Sequence, residues 1–337
     1  MRLPALLALL ACAACATARP PVAAAPPDKA PPTVAATPAP PPPPVTPVTP
    51  PSTAATATPA PAVNVPEPRI ALVLGGGAAR GFAHIGVIRV LEQEHIPVNL
   101  IVGTSVGSLI AALYAAEGDS FDLEWTAFQL TQDDIFDFRL MNTVVGMGYA
   151  KGDRLEAWVK SKLKDDRIEK LKIPFAAVAT DLNWGKRVVL DKGPVSRAVR
   201  ASSAIPGVFE PVQHVGKILV DGGVIDNIPI DVAREKGADL VIAVDISENV
   251  GNTNITNALD VVLQSTNIMF AENVAHLRGG ADVLVEPKVG GVAMLDFSQK
   301  KLCMQAGMDA ARKMMPKIRA TVEEWKRKKA AALVPRT

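Results

Sequence analysis

The sequence predicts an α/β protein with a mainly parallel central sheet covered by helices, on three observations. Short apolar runs that read as buried strands alternate with helical patterns from about Arg69 to Trp325. Two of the strand-to-helix junctions carry glycine-rich turns, Gly75-Gly76-Gly77 and Gly103-Thr104-Ser105-Val106-Gly107. With 337 residues, 48% hydrophobic and 21% charged, the chain has the apolar material for a full core. One folded domain is expected, without internal repeats.

Residues ahead of that domain read differently. Leu3 to Ala11 form a short apolar core after Arg2, followed by small residues, the shape of an export signal and too short for a membrane span. Leu9-Leu10-Ala11-Cys12 resembles a bacterial lipoprotein processing site, with Cys15 as a second candidate; lipid on either cysteine would tether the chain to the cell envelope, at the outer membrane or in the periplasm. The alternative is a soluble secreted chain cut near Ala16 or Ala18. From Arg19 to Pro68 the chain is almost wholly Pro, Ala, Thr and Val, which lacks the apolar bulk to offset the entropy of ordering. Extended, such a linker reaches on the order of 150 Å. The expected organisation is thus a leader over 1–18, a linker over 19–68 and a catalytic domain over 69–337 ending in a helix. A net charge of +2 gives no reason to expect a nucleic-acid partner. Cys303 is the lone cysteine of the folded part, so that part needs no internal disulfide.

Taken in order, the first strand is Arg69 to Leu74, and Gly75-Gly76-Gly77-Ala78-Ala79-Arg80-Gly81 leads into a helix running to about Glu94. A glycine-rich loop of this kind presents backbone N–H groups to an anion. As a nucleotide site it would hold a pyrophosphate; as part of an acyl hydrolase it would be an oxyanion hole. Its glycine spacing misses the dinucleotide fingerprint and no P-loop lysine follows. The next strand, Leu100 to Val102, runs straight into Gly-x-Ser-x-Gly and a helix from Ser108 to Ala116, the context of a nucleophile elbow. Helices are expected over Phe121–Leu130 and Asp153–Leu163. Between them, Phe136 to Tyr149 has apolar side chains without a clean period, and is read as pocket lining, a flap or ordinary loop packing. Ile173 to Thr180 is a strand, joined by a turn at Asn183-Trp184-Gly185-Lys186 to Arg187-Val188-Val189-Leu190 as a hairpin. A helix from Val195 leads to Ala201-Ser202-Ser203-Ala204-Ile205-Pro206, and the strand Ile218 to Val220 ends at Asp221-Gly222-Gly223. A strand over Leu240–Ile246, a helix over Asn257–Leu277, a strand over Val283–Val285 and a helix over Leu302–Trp325 complete the pattern.

A hydroxyl nucleophile needs a base. The chain order Ser105, Asp221, His276 suits a Ser-Asp-His triad, but only one strand precedes the elbow strand and His276 lies inside a helical pattern. His84 reads as a packed residue beside the glycine loop, and His95 and His214 as loop or turn residues. An oxidoreductase would need a fitting fingerprint and a Tyr-x-x-x-Lys, which neither Tyr114 nor Tyr149 supplies.

These motifs together resemble the patatin-like phospholipase family, in its bacterial branch, over about Ile70 to Pro287. Gly75-Gly76-Gly77-Ala78-Ala79-Arg80-Gly81 is similar to the family's oxyanion motif, Gly103-Thr104-Ser105-Val106-Gly107 to its elbow, and Asp221-Gly222-Gly223 to its Asp-Gly-Gly. Ala201-Ser202-Ser203-Ala204-Ile205-Pro206 is similar to a further segment. The resemblance implies a three-layer α/β/α sandwich and a Ser105–Asp221 dyad with no histidine, metal or cofactor. N–H groups around Gly76, Gly77 and Ala78 would hold the oxyanion, and Arg80 would orient the loop or meet a phosphate. The implied substrate is a phospholipid or other acyl ester at a membrane surface. A general lipase, esterase or acyltransferase on the same dyad is the near alternative, and a non-catalytic lipid- or partner-binding lipoprotein the distant one.

Overall fold

The computed structural model describes residues 65–135, 148–247, 251, 255–294 and 296–333, all within one compact unit over Ala60–Thr337. The leader with Cys12 and Cys15, most of the linker, and 136–147 of the stretch read as pocket lining or flap lie outside the described residues.

In chain order, β1 (Ile70–Leu74) leads through a 3-10 turn (Ala78–Gly81) to α1 (Phe82–Gln93), β2 (Leu100–Thr104) and α2 (Val106–Glu117). Next come α3 (Ser120–Gln129), α4 (Gln132–Ile135), β3 (Gly148–Ala150) and α5 (Asp153–Lys162). The hairpin β4 (Phe175–Asp181) and β5 (Lys186–Leu190) follows, then α6 (Val195–Ser202), β6 (Gly207–Phe209), β7 (Val212–His214) and β8 (Lys217–Asp221). The chain closes with α7 (Ile230–Glu235), β9 (Leu240–Val244), α8 (Ala258–Leu277), β10 (Val283–Val285) and α9 (Lys300–Leu333).

The main sheet runs β10-β9-β1-β2-β4-β8-β7, with β5 also on β4. Its first five strands are parallel, and their apolar sequences are buried on both faces, as parallel strands under two helical layers must be. Alternation along β1 sorts the core. Ile70, Leu72 and Leu74 pack with α1, α2 and α9 on one face, while Ala71 and Val73 pack with α7 and the end of α8 on the other. The result is the expected α/β/α layering.

Beyond short elements and strand ends, details differ from the sequence reading in three places. The last helix starts two residues earlier and runs eight further, through Pro316, because its apolar stripe stays packed against α1 while its polar end continues into solvent. Strands β3 and β6 form a separate two-stranded parallel sheet; at three residues each they leave no period to read. The helix expected from Asn257 begins one residue later, because Asn257 is its N-cap in a capping box with Asp260. Among the described residues, no helix is long and apolar enough to cross a membrane.

Candidate active site

Ser105 stands at the C-terminal end of β2, where the chain turns into α2. Its backbone is left-handed, with φ 55° and ψ −129°, a conformation that costs a non-glycine residue about 1–3 kcal/mol. The flanking glycines are there for space. A Cβ on Gly103 would lie 2.5 Å from the Gly107 carbonyl, and one on Gly107 would lie 2.2 Å from the Leu74 carbonyl oxygen. The strain is held by hydrogen bonds. The Ser105 N–H donates to Ser202 Oγ at 2.9 Å, and that hydroxyl donates onward to the Val178 carbonyl at 2.6 Å. The Ser105 carbonyl accepts from the Ser108 N–H and hydroxyl.

Asp221 reaches Ser105 through strand registry. On β4, Val178 pairs with Thr104 of β2 and the next residue, Ala179, pairs with Asp221 of β8. Since β5 occupies the other edge of β4, β2 and β8 share one edge and meet end to end, bringing Ser105 and Asp221 together. Gly222 allows this, because a Cβ there would lie 2.3 Å from the Val178 carbonyl oxygen. The Asp221 carboxylate is fully buried; Oδ1 accepts from the Gly223 N–H at 2.8 Å. Burial pushes its pKa up to about 7, against the smaller opposing effects of the Ser105 hydroxyl and the Gly223 N–H. Among the described residues, Oδ2 has no well-formed hydrogen bond, that from Ser105 included. Pairs of this kind tighten when substrate arrives.

The glycine loop is held peptide by peptide. His84 Nε2 donates to the Gly75 carbonyl at 2.8 Å, and burial lowers the His84 pKa to about 4, so the ring is neutral. The Gly76 N–H donates to the Asn227 carbonyl at 3.1 Å, and Asn227 Nδ2 donates to the Gly76 carbonyl at 3.4 Å. The Gly77 carbonyl accepts from the backbone N–H and Nε of Arg80, both at 3.2 Å; Arg80 Nη2 donates to Asn267 Oδ1 at 3.3 Å. In a trans peptide the N–H points opposite the carbonyl. Fixing the carbonyls of Gly76 and Gly77 therefore aims the N–H groups of Gly77 and Ala78 the other way, and among the described residues neither has a partner. Gly75 and Gly76 differ from the expected donor set, since their N–H groups are bound to Val244 and Asn227. Arg80 is buried and tied into the loop, as a positioning residue is and a surface phosphate ligand is not.

Ser105 and Ala78 lie in the wall of a cavity with an empty volume of about 560 Å³, open mouth included. Its other walls are almost entirely apolar, among them Phe82, Leu109, Ile110, Leu130 and Phe297. The Ser203 hydroxyl, buried and without a partner among the described residues, is a polar exception. Of the histidines, His84 serves the loop and His276 is exposed on α8; the Asp221 carboxylate takes its contacts from Ser105 and Gly223. Sequence reading missed Ser202, Asn227 and Asn267. Ser202 lies inside a quoted segment that carried no stated role and Asn227 near another, but nothing local marks a Ser or Asn that acts on a loop 97 to 187 residues away.

Fold and site first define a class, an α/β protein with a nucleophile elbow facing a buried carboxylate and a glycine loop. Residues 72–234 match the patatin-like phospholipase family model. The match ends short of Pro287, where the sequence resemblance was expected to stop. An uncharacterized NTE family protein of Mycobacterium tuberculosis is 36% identical over 218 residues, 62% of this chain and 60% of that protein. The lysophospholipase NTE1 of Mycosarcoma maydis is 37% identical over 179 residues, 52% of this chain and 10% of that one. The chain thus spans less than two thirds of the length of these relatives. Among solved structures, VipD from Legionella pneumophila has a TM-score of 0.51 at 14% identity, covering 77% of this chain and 67% of that one, a likeness of fold.

Proposed function

We propose that this protein is a serine acyl hydrolase that cleaves acyl esters of phospholipids or lysophospholipids through an acyl-enzyme. The observation that carries the reading is Ser105 on a strained elbow against a buried Asp221 whose proton affinity is raised to neutrality. An ordinary carboxylate is too weak a base to take a serine proton, whereas one near pH 7 is matched to the task. In the proposed cycle the ester carbonyl sits between Ser105 and the N–H groups of Gly77 and Ala78. Ser105 attacks, Asp221 takes its proton, and the two N–H groups hold the developing oxyanion. Asp221 then returns the proton to the leaving alcohol. Water attacks the acyl-enzyme by the same route in reverse, restoring Ser105. The apolar cavity supports an acyl chain on the carbonyl side.

The lysophospholipase name of a relative supports a membrane-lipid ester over a small soluble one. Release of fatty acid from lysophosphatidylcholine by purified protein tests the reading. Turnover should be lost in Ser105→Ala and should fall on the acid side with an apparent pKa near 7. Turnover that survives in Ser105→Ala would overturn it. Export and lipid anchoring are proposed on the leader sequence alone; radiolabelled palmitate incorporation that disappears in Cys12→Ser or Cys15→Ser tests them, and no incorporation in the parent chain contradicts them.

A further inference from the structure

The β4–β5 turn and the β7–β8 turn stand side by side. The Leu182 N–H donates to the Ile218 carbonyl at 2.8 Å, and Asp181 pairs with Leu219. Both turns lie at the end of the sheet that carries Ser105. Thr104 is level with Val178, and β4 continues to Asp181 before turning. At about 3.3 Å per residue the turns rise roughly 10 Å beyond the level of the nucleophile.

Turns normally expose Gly, Asn, Asp or Ser. These expose Leu182 (51%), Trp184 (76%) and Val215 (86%). Val215 is the most telling. It has φ 46°, followed by Gly216 at φ 73°, a two-residue hairpin turn for which Asn-Gly is the favoured pair. A β-branched residue in left-handed backbone is a steric outlier, and the Val215 side chain is exposed rather than buried in a core that would compensate. Cations flank these tips: Lys186 is exposed, and Lys217 is half exposed at 4.0 Å from the buried Asp181.

We propose that these paired turns are a wedge that docks the protein on an anionic phospholipid bilayer, with Leu182, Trp184 and Val215 entering the headgroup boundary and Lys186 and Lys217 meeting lipid phosphates. A protein partner is disfavoured by size. Three side chains on two projecting tips offer on the order of 400 Å² of apolar surface, about half of what one side of a stable interface buries. A bilayer needs no complementary shape, and Trp is suited to its boundary. Docking there presents the Ser105 end of the sheet to the lipid. Its purpose rests on the esterase reading, but its measurement does not.

Binding is measured by cosedimentation with vesicles of phosphatidylcholine and phosphatidylglycerol, using the full chain with Cys12→Ser, Cys15→Ser and Ser105→Ala so that neither lipidation nor turnover contributes. Adding Leu182→Ser, Trp184→Ser and Val215→Asn should lower the partition coefficient by roughly tenfold or more. Lys186→Gln with Lys217→Gln should weaken binding on these vesicles and not on pure phosphatidylcholine. Phe121→Ser with Trp125→Ser, an exposed aromatic pair on α3, should leave it unchanged. Val215→Asn alone should hold or raise the melting temperature, which separates docking from folding. In the chain with Ser105 intact, the tip variant should keep its turnover of a short-chain soluble ester. No vesicle binding by the parent chain, equal binding by the tip variant, or an equal loss in the α3 control would each overturn the proposal.

Discussion

Replacing Asp221 by Asn should remove activity and stabilise the protein, by an amount that depends on pH in a calculable way. The carboxylate has a pKa of about 7 in the fold against an ordinary 3.8. A raised folded value means that the protonated form is the one that fits. The stability it confers is complete below 3.8 and is lost as pH rises through 7. Three pKa units correspond to about 4 kcal/mol above pH 7, of which about 1–2 kcal/mol is already lost at pH 5. Asn is neutral throughout and still accepts from the Gly223 N–H. The advantage of Asp221→Asn over wild type should therefore grow by about 2–3 kcal/mol between pH 5 and pH 8, or roughly 5–10 °C in melting temperature. His84 makes the comparison between proteins essential. Its pKa is lowered to about 4 from 6.5, so its contribution is present above 6.5 and is lost as pH falls through 4. Within one protein the two slopes oppose each other over most of that window; the difference between proteins isolates Asp221. Calorimetry or thermal shift at pH 5, 6, 7 and 8 provides the assay. An Asn variant no more stable than wild type at pH 8, or an advantage independent of pH, would refute the buried-base argument.

Other outcomes follow from the supporting bonds. Ser202→Ala leaves the Ser105 N–H and the Val178 carbonyl unpaired, costing about 1–3 kcal/mol in denaturant unfolding and lowering kcat. Arg80→Met leaves the Gly77 carbonyl only its backbone hydrogen bond and cuts the loop's tie to Asn267, and should lower kcat by roughly 100-fold with little change in KM, as loss of oxyanion alignment does; Arg80→Lys should rescue poorly, because Lys lacks the fork that spans Gly77 and Asn267. Ile110→Trp should narrow the cavity and reduce turnover of long-chain p-nitrophenyl esters while sparing the acetate, a split read by kcat/KM across chain lengths.

Much of the fold could be read in advance because its signals are local. The apolar runs of β1, β2 and β9 and the turns at Gly75 and Gly103 need only a few consecutive residues. Asp221 stood out for the same reason, as an acid at a strand end before two glycines. Less of the site's support was legible. The end-to-end meeting of β2 and β8 depends on both pairing with one edge of β4, a relation spread over more than a hundred residues. Which N–H groups of the glycine loop are open is decided by Asn227 and Arg80, on separate elements, and the family resemblance made Gly76 look as available as Gly77. Val215 was hidden for the opposite reason, since its significance is a backbone angle that its residue type argues against.

The most direct test of the Ser105–Asp221 pair is labelling of the purified protein with a fluorophosphonate probe. Wild type is compared with Ser105→Ala, Asp221→Asn and His276→Ala, all confirmed folded. The account requires labelling to vanish in Ser105→Ala, to slow by at least roughly 100-fold in Asp221→Asn, and to persist in His276→Ala. Undiminished labelling of Asp221→Asn, or its loss in His276→Ala, would contradict a dyad in which the buried aspartate is the base.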